Sequence, residues 1–162
     1  MGAGVRRPGF KVKPHLLCAL GMVLLASGST SLAHEGATGI VKQRMDEMEP
    51  IGRAVKRIID RLKSERALAE IAREAEEIRA AAARMPSLFP PGSRDGHSEA
   101  TPAVWERWPE FVAAARALEG AAEKLAVTAR SGPDAAIAEQ FRATTRACSG
   151  CHDVFRVKNR GR

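Results

Sequence analysis

The segment IAEQFRATTRACSGCHDVF, running from Ile137 to Phe155, decides how this chain folds. Ile137, Phe141, Thr144, Cys148, Cys151 and Phe155 recur at the three-and-four spacing that lines one face of an α-helix. The same stretch carries two cysteines three positions apart, with His152 directly after the second. Three chemistries use such a group: half of a zinc site, a redox-active dithiol, or a haem attachment site.

Three further stretches repeat the helical spacing. Val41, Met45, Met48, Val55, Ile59 and Leu62 form the first stripe, widened by Ile51 and Ile58. Leu68, Ile71, Ala75, Ile78, Ala82 and Met85 form the second. Trp105, Trp108, Val112, Ala115, Leu118, Ala122 and Leu125 form the third. None shows strand alternation. Ser64 is placed to cap the second stretch and Thr101-Pro102 the third, while Ser131-Gly132-Pro133-Asp134 ends the third and starts the fourth. Pro86 to Ala100, with three prolines and two glycines, reads as the one long loop. The expected fold is all-α, an antiparallel four-helix bundle with the apolar stripes turned inward. Pro50 and Pro109 fall inside periodic stretches, and a kink or a late helix start is expected at each.

Residues 1–33 read as a signal peptide. A basic region (Arg6, Arg7, Lys11, Lys13) precedes the apolar run Leu16 to Leu25, and Ser31-Leu32-Ala33 follows. The apolar run is short for a membrane span. Arg6-Arg7 reads as leader charge rather than a twin-arginine signal, and Cys18 as part of the discarded leader. Cleavage near Ala33 leaves residues 34–162 as one exported, periplasmic domain without stable membrane insertion. Four of the 26 Lys and Arg lie in the leader and none of the 19 acids does, so 22 bases face 19 acids, a net +3. Charge that mild, interspersed and without interleaved aromatics, argues against nucleic-acid binding.

The motif itself sorts the three chemistries. Zinc needs four nitrogen or sulfur ligands, and beyond Cys148, Cys151 and His152 only His97 and His34 remain in the domain. A redox dithiol draws its low pKa from a helix start beside a strand, whereas this motif lies near a helix end in a chain without strands. A disulfide across two cysteines so spaced on one helix has poor geometry. Haem attachment accounts for every residue: two thiols for two vinyl groups and a histidine for the iron.

With CSGCHDVFR at the C-terminus, the A-R-M-P-S-L-F-P-P-G loop, P-A-V-W-E-R-W-P-E-F and V-K-Q-R-M-D-E-M, the chain resembles the class II c-type cytochromes, which include cytochrome c prime and its low-spin relatives. The resemblance implies one haem c on the C-terminal helix, attached through Cys148 and Cys151 and ligated by His152. It implies Arg156 near a haem propionate, and Trp105 and Phe155 against the macrocycle. Aligning V-K-Q-R-M-D-E-M puts Met48 at the position where low-spin members place a methionine on the iron, with Met45 as competitor. Arg44, just before that turn, has two readings, a propionate contact or a surface salt bridge.

If Met48 binds the iron, the resemblance implies a low-spin carrier of single electrons, exchanging them with periplasmic redox proteins. If it only packs, the iron is five-coordinate and takes nitric oxide or carbon monoxide. An enzyme is not expected, since no Ser, His and carboxylate cluster emerges. A homodimer is open, although Arg53, Lys56 and Arg57 charge the outer face of the first helix.

Overall fold

The computed structural model describes Met1, residues 36–63 and residues 67–158. The leader reading, including Cys18, and the positions of His34 and the Ser64 cap lie outside the described residues. Two units divide the chain, Met1–Ser31 and Leu32–Arg162, and the helices among the described residues belong to the second. Helix α1 spans Gly39–Lys63, α2 Leu68–Arg84, α3 Ala103–Glu106, α4 Trp108–Ser131 and α5 Asp134–Phe155. The four long helices form the expected bundle, and among the described residues the only β pairing is an isolated antiparallel bridge between Ala100 and Arg156.

The heart of the core is the seam between α2 and α4. Ala72, Ala75, Ala81 and Ala82 on one helix and Ala115, Ala122, Ala126 and Ala129 on the other are all buried. Such small side chains let two helix backbones approach closely, and Ile71, Ile78 and Leu125 fill the remaining volume. Helix α1 packs on α2 and α5 on α4. Along α1 the buried line runs Val41, Arg44, Ile51, Ala54, Ile58, with Met48 half-buried between them. The centre of the apolar face is therefore shifted from the expected one: Ile51 and Ile58 lead it, and Val55 and Ile59 flank it. An arginine on the buried line hid this from hydrophobic spacing.

The two prolines part company. At Pro109 the third stretch breaks into α3 and α4, with Arg107 in non-helical geometry and the proline in the first turn of α4, where its missing N–H costs nothing. At Pro50 helix α1 continues unbroken. Thr101 does not cap α3, because its hydroxyl donates to the Val154 carbonyl at 3.0 Å. The long loop opens with a 3-10 turn over Met85–Leu88 and then turns at Pro90-Pro91-Gly92-Ser93. There the Ser93 N–H donates to Pro90 O at 3.2 Å and Gly92 takes φ +74°, the third position of a type II turn that favours glycine.

Candidate functional site

Helices α1 and α5 face each other across a cavity of about 610 Å³, within the size range of small-molecule and cofactor sites. Val41, Met45 and Met48 of α1 form one wall, and Cys148, Cys151, His152 and Phe155 of α5 form another. Helix α4 closes the back with Phe111, Ala115 and Leu118, while Phe89, Ser98 and Ala100 enter from the loop. The motif lies here because the stripe of α5 is buried at Ile137, Thr144 and Phe155 and opens onto the cavity between the last two. Ile137 is buried, but Phe141, Cys148 and Cys151 are only half-buried.

Both cysteines are free thiols, and burial pushes each above the usual thiol range. That is the reverse of the thiolate-favouring surroundings of a redox-active pair. Among the described residues no group of three or more His, Cys, Asp and Glu is placed to hold a metal ion. His152 lines the cavity and is exposed at its surface. Partial burial, with the charge of Arg156, lowers its pKa from the ordinary histidine value, the direction that favours the neutral form an imidazole ligand needs. Two thiols, an imidazole and an apolar slot lined by Phe111 and Phe155 fit a flat, covalently attached macrocycle.

The other expected contacts divide. Phe155 lies on the cavity wall, and so does Arg156, whose guanidinium pairs with Glu99 at 2.7 Å. Trp105 is not on the wall. Its indole N–H donates to Phe89 O at 3.1 Å and Pro90 O at 3.0 Å, so the ring braces the loop from behind. Phe89, which the sequence left inside a proline-rich loop, takes the place on the wall and meets Phe111 edge-on at 4.8 Å.

Arg44 makes no surface salt bridge. Only 5 % exposed, it donates through Nε to Leu88 O at 2.6 Å, through Nη1 to Ser98 Oγ at 3.4 Å and through Nη2 to Ser93 Oγ. Its guanidinium lies 4.3 Å from the centre of the Phe89 ring. Burial lowers its pKa, and the charge of Asp95 partly offsets that. The sequence did hold a signal for this position: Val41, Arg44, Met48 and Ile51 share one helical face, so Arg44 had to be buried or bent away.

The family model for cytochrome C' matches residues 39–156. A cytochrome c' of Rubrivivax gelatinosus is 41% identical over 73 residues, which is 44% of this chain and 57% of that protein, so the likeness spans little more than half its length. Among solved structures, cytochrome c' from Rhodopseudomonas palustris superposes with a TM-score of 0.69 at 27% identity, covering 76% of this chain and 99% of that one. A further cytochrome c', described as having an unusual ligand-controlled dimer dissociation, matches with a TM-score of 0.68 at 27% identity over 74% of this chain and 95% of its own. With the bundle, the cavity and the Cys148-Cys151-His152 group on its last helix, the chain belongs to the cytochrome c' family and carries a covalent haem c.

Proposed function

We propose that this protein holds its haem through Cys148, Cys151 and His152 and binds a small neutral gas, nitric oxide or carbon monoxide, on the α1 side of the cavity. The observation that carries this reading is the chemistry of that wall. Opposite His152, α1 presents Val41, Met45 and Met48, with Arg44 turned to the loop and Glu49 at the exposed rim. A wall whose one guanidinium already donates to Leu88, Ser93 and Ser98, and which is otherwise apolar, favours weakly polar diatomics over water or anions. A bound haem supplies an iron that takes such a gas or passes a single electron. The chain's own part is to fix the macrocycle by two thioether positions, present the His152 imidazole from α5, and exclude water with Phe111, Leu118 and Phe155. Met48 is half-buried and packs against the core cluster, which is the behaviour of a gap-filling methionine.

A His/Met electron carrier is the second reading. It is favoured by one observation, that Met48 lines the same cavity as His152 from the facing helix. In either case the protein is a haem-binding carrier or binder rather than an enzyme. Export under residues 1–33 to the periplasm goes with both readings, and no helix among the described residues is long and apolar enough to cross a membrane. Pairing into a homodimer belongs to the same proposal, since a relative of the same fold is described as a dimer under ligand control.

Visible spectra of the ferric and ferrous holoprotein, with and without carbon monoxide, separate the readings. We expect a broad high-spin spectrum that shifts on adding the gas, and a Met48→Leu variant whose gas-free spectrum matches the parent. Sharp ferrous bands unmoved by the gas, and lost in Met48→Leu, would instead put the sulfur on the iron and leave electron transfer as the function.

A further inference from the structure

The segment Leu88–Thr101 is fastened on both sides of the cavity. On the α5 side, Thr101 N–H donates to Phe155 O at 3.0 Å, Val157 N–H donates to Glu99 O at 2.7 Å, and Arg156 pairs with Glu99. These bonds follow directly on the helix that carries His152. On the α1 side one side chain makes the link. Arg44 lies one helical turn before Met48 and reaches Leu88, Ser93 and Ser98, residues spread over the whole segment, while its guanidinium covers the Phe89 ring.

The acceptors of Arg44 are a backbone carbonyl and two hydroxyls, none of them a carboxylate. A buried guanidinium with neutral partners contributes little as an ion pair. Its planar fork is suited to holding several acceptors in one geometry. Two of the residues it touches, Phe89 and Ser98, are themselves on the cavity wall.

We propose that Arg44 is a positioning residue: it pins Leu88–Ser98 to α1 as the loop-side wall of the cavity and thereby sets how readily a small gas enters beside Phe89. The statement about entry rests on the gas-binding reading, and the statement about the wall does not. Arg44 thus ties the loop to the turn of α1 that carries Met48, while Glu99 and Thr101 tie it to the end of α5.

The test compares full-length holoprotein with its Arg44→Met and Arg44→Lys variants. Hydrogen exchange is followed by mass spectrometry, and carbon monoxide rebinding by flash photolysis. For Arg44→Met we expect exchange over residues 88–100 to rise about tenfold or more, the scale of losing one hydrogen bond to a charged group. Exchange in the α2 and α4 core should hold, and gas association should quicken. Arg44→Lys should fall between, because an ammonium keeps the charge and cannot span three acceptors. Unchanged exchange over 88–100 would overturn the proposal, as would Arg44→Lys matching the parent or both variants exchanging faster everywhere. Faster exchange confined to 88–100 with no gas binding even in the parent would uphold Arg44 as the pin and remove the gas-binding reading instead.

Discussion

Replacing Cys148 and Cys151 together by alanine is expected to give a protein that keeps no haem through denaturation and that melts at least 10 °C or so below the parent, a shift of about 3 kcal/mol for a domain of this size. The first half follows from the attachment chemistry, because no other cysteine lies among the described residues. The second half follows from the cavity. At about 24 cal/mol per Å³, a sealed apolar void of about 610 Å³ would cost on the order of 15 kcal/mol, as much as the whole stability of a typical domain. Water entering at the mouth lessens that cost, but Val41, Val104, Phe111 and Leu118 gain nothing from it.

Helix α1 should therefore yield first in that variant, since it packs on α2 along one side and faces the cavity along the other. Haem staining on a denaturing gel and thermal unfolding by circular dichroism check the two halves. A His152→Ala variant is the control: it should keep its covalent haem and change only its spectrum. Colour surviving denaturation in the double cysteine variant would place the attachment elsewhere, and an unshifted melting point would show that the bundle closes over the cavity on its own.

The same cavity explains which parts of the molecule could be read from letters alone. Helix number and order follow from spacing, because a stripe of apolar residues has one way to be buried in a bundle. The motif was legible because each of its residues has a chemical task and the chain leaves few competing donors. What escaped are the places where a residue's type and its location disagree. Arg44 sits on the buried line of α1, and Glu74, only 1 % exposed, sits between Ile71 and Ile78 on that of α2. Periodicity counts both as polar and moves the apolar face away from them. Phe89 escaped for another reason: prolines mark a loop and say nothing of which loop residue turns inward. Trp105, which the resemblance sets against the macrocycle, is off the cavity wall because its indole N–H needs a carbonyl, and the loop offers two.

Glu74 carries the second large expected effect. Its carboxylate accepts from Arg57 Nε at 2.7 Å and from Arg57 Nη2, with Arg73 at 3.7 Å and Arg61 at 4.0 Å. The bond from Arg57 holds its pKa below the usual carboxylate range against the cost of burial. A carboxyl with a lower pKa folded than unfolded contributes stability that is complete above the unfolded value, about 4.3 for glutamate, and that is lost as pH falls through the folded one. Arg57→Ala strips the buried carboxylate of its best partner. Breaking a buried pair from one side is strongly destabilising, but Arg57 is itself 38% exposed and two other arginines remain, so a clear but smaller loss is expected at pH 7.

In that variant burial favours the protonated acid, so the difference from the parent should shrink as both are taken to pH 3. Arg57→Leu with Glu74→Leu removes both charges and should lie closer to the parent at pH 7 than Arg57→Ala does, because no carboxylate is left stranded between the helices. Urea unfolding of the three proteins at pH 7 and pH 3 measures all of this. A gap between Arg57→Ala and the parent that is the same at both pH values would mean that the lost stability comes from the packing of the arginine stem on α2 rather than from the charge on Glu74.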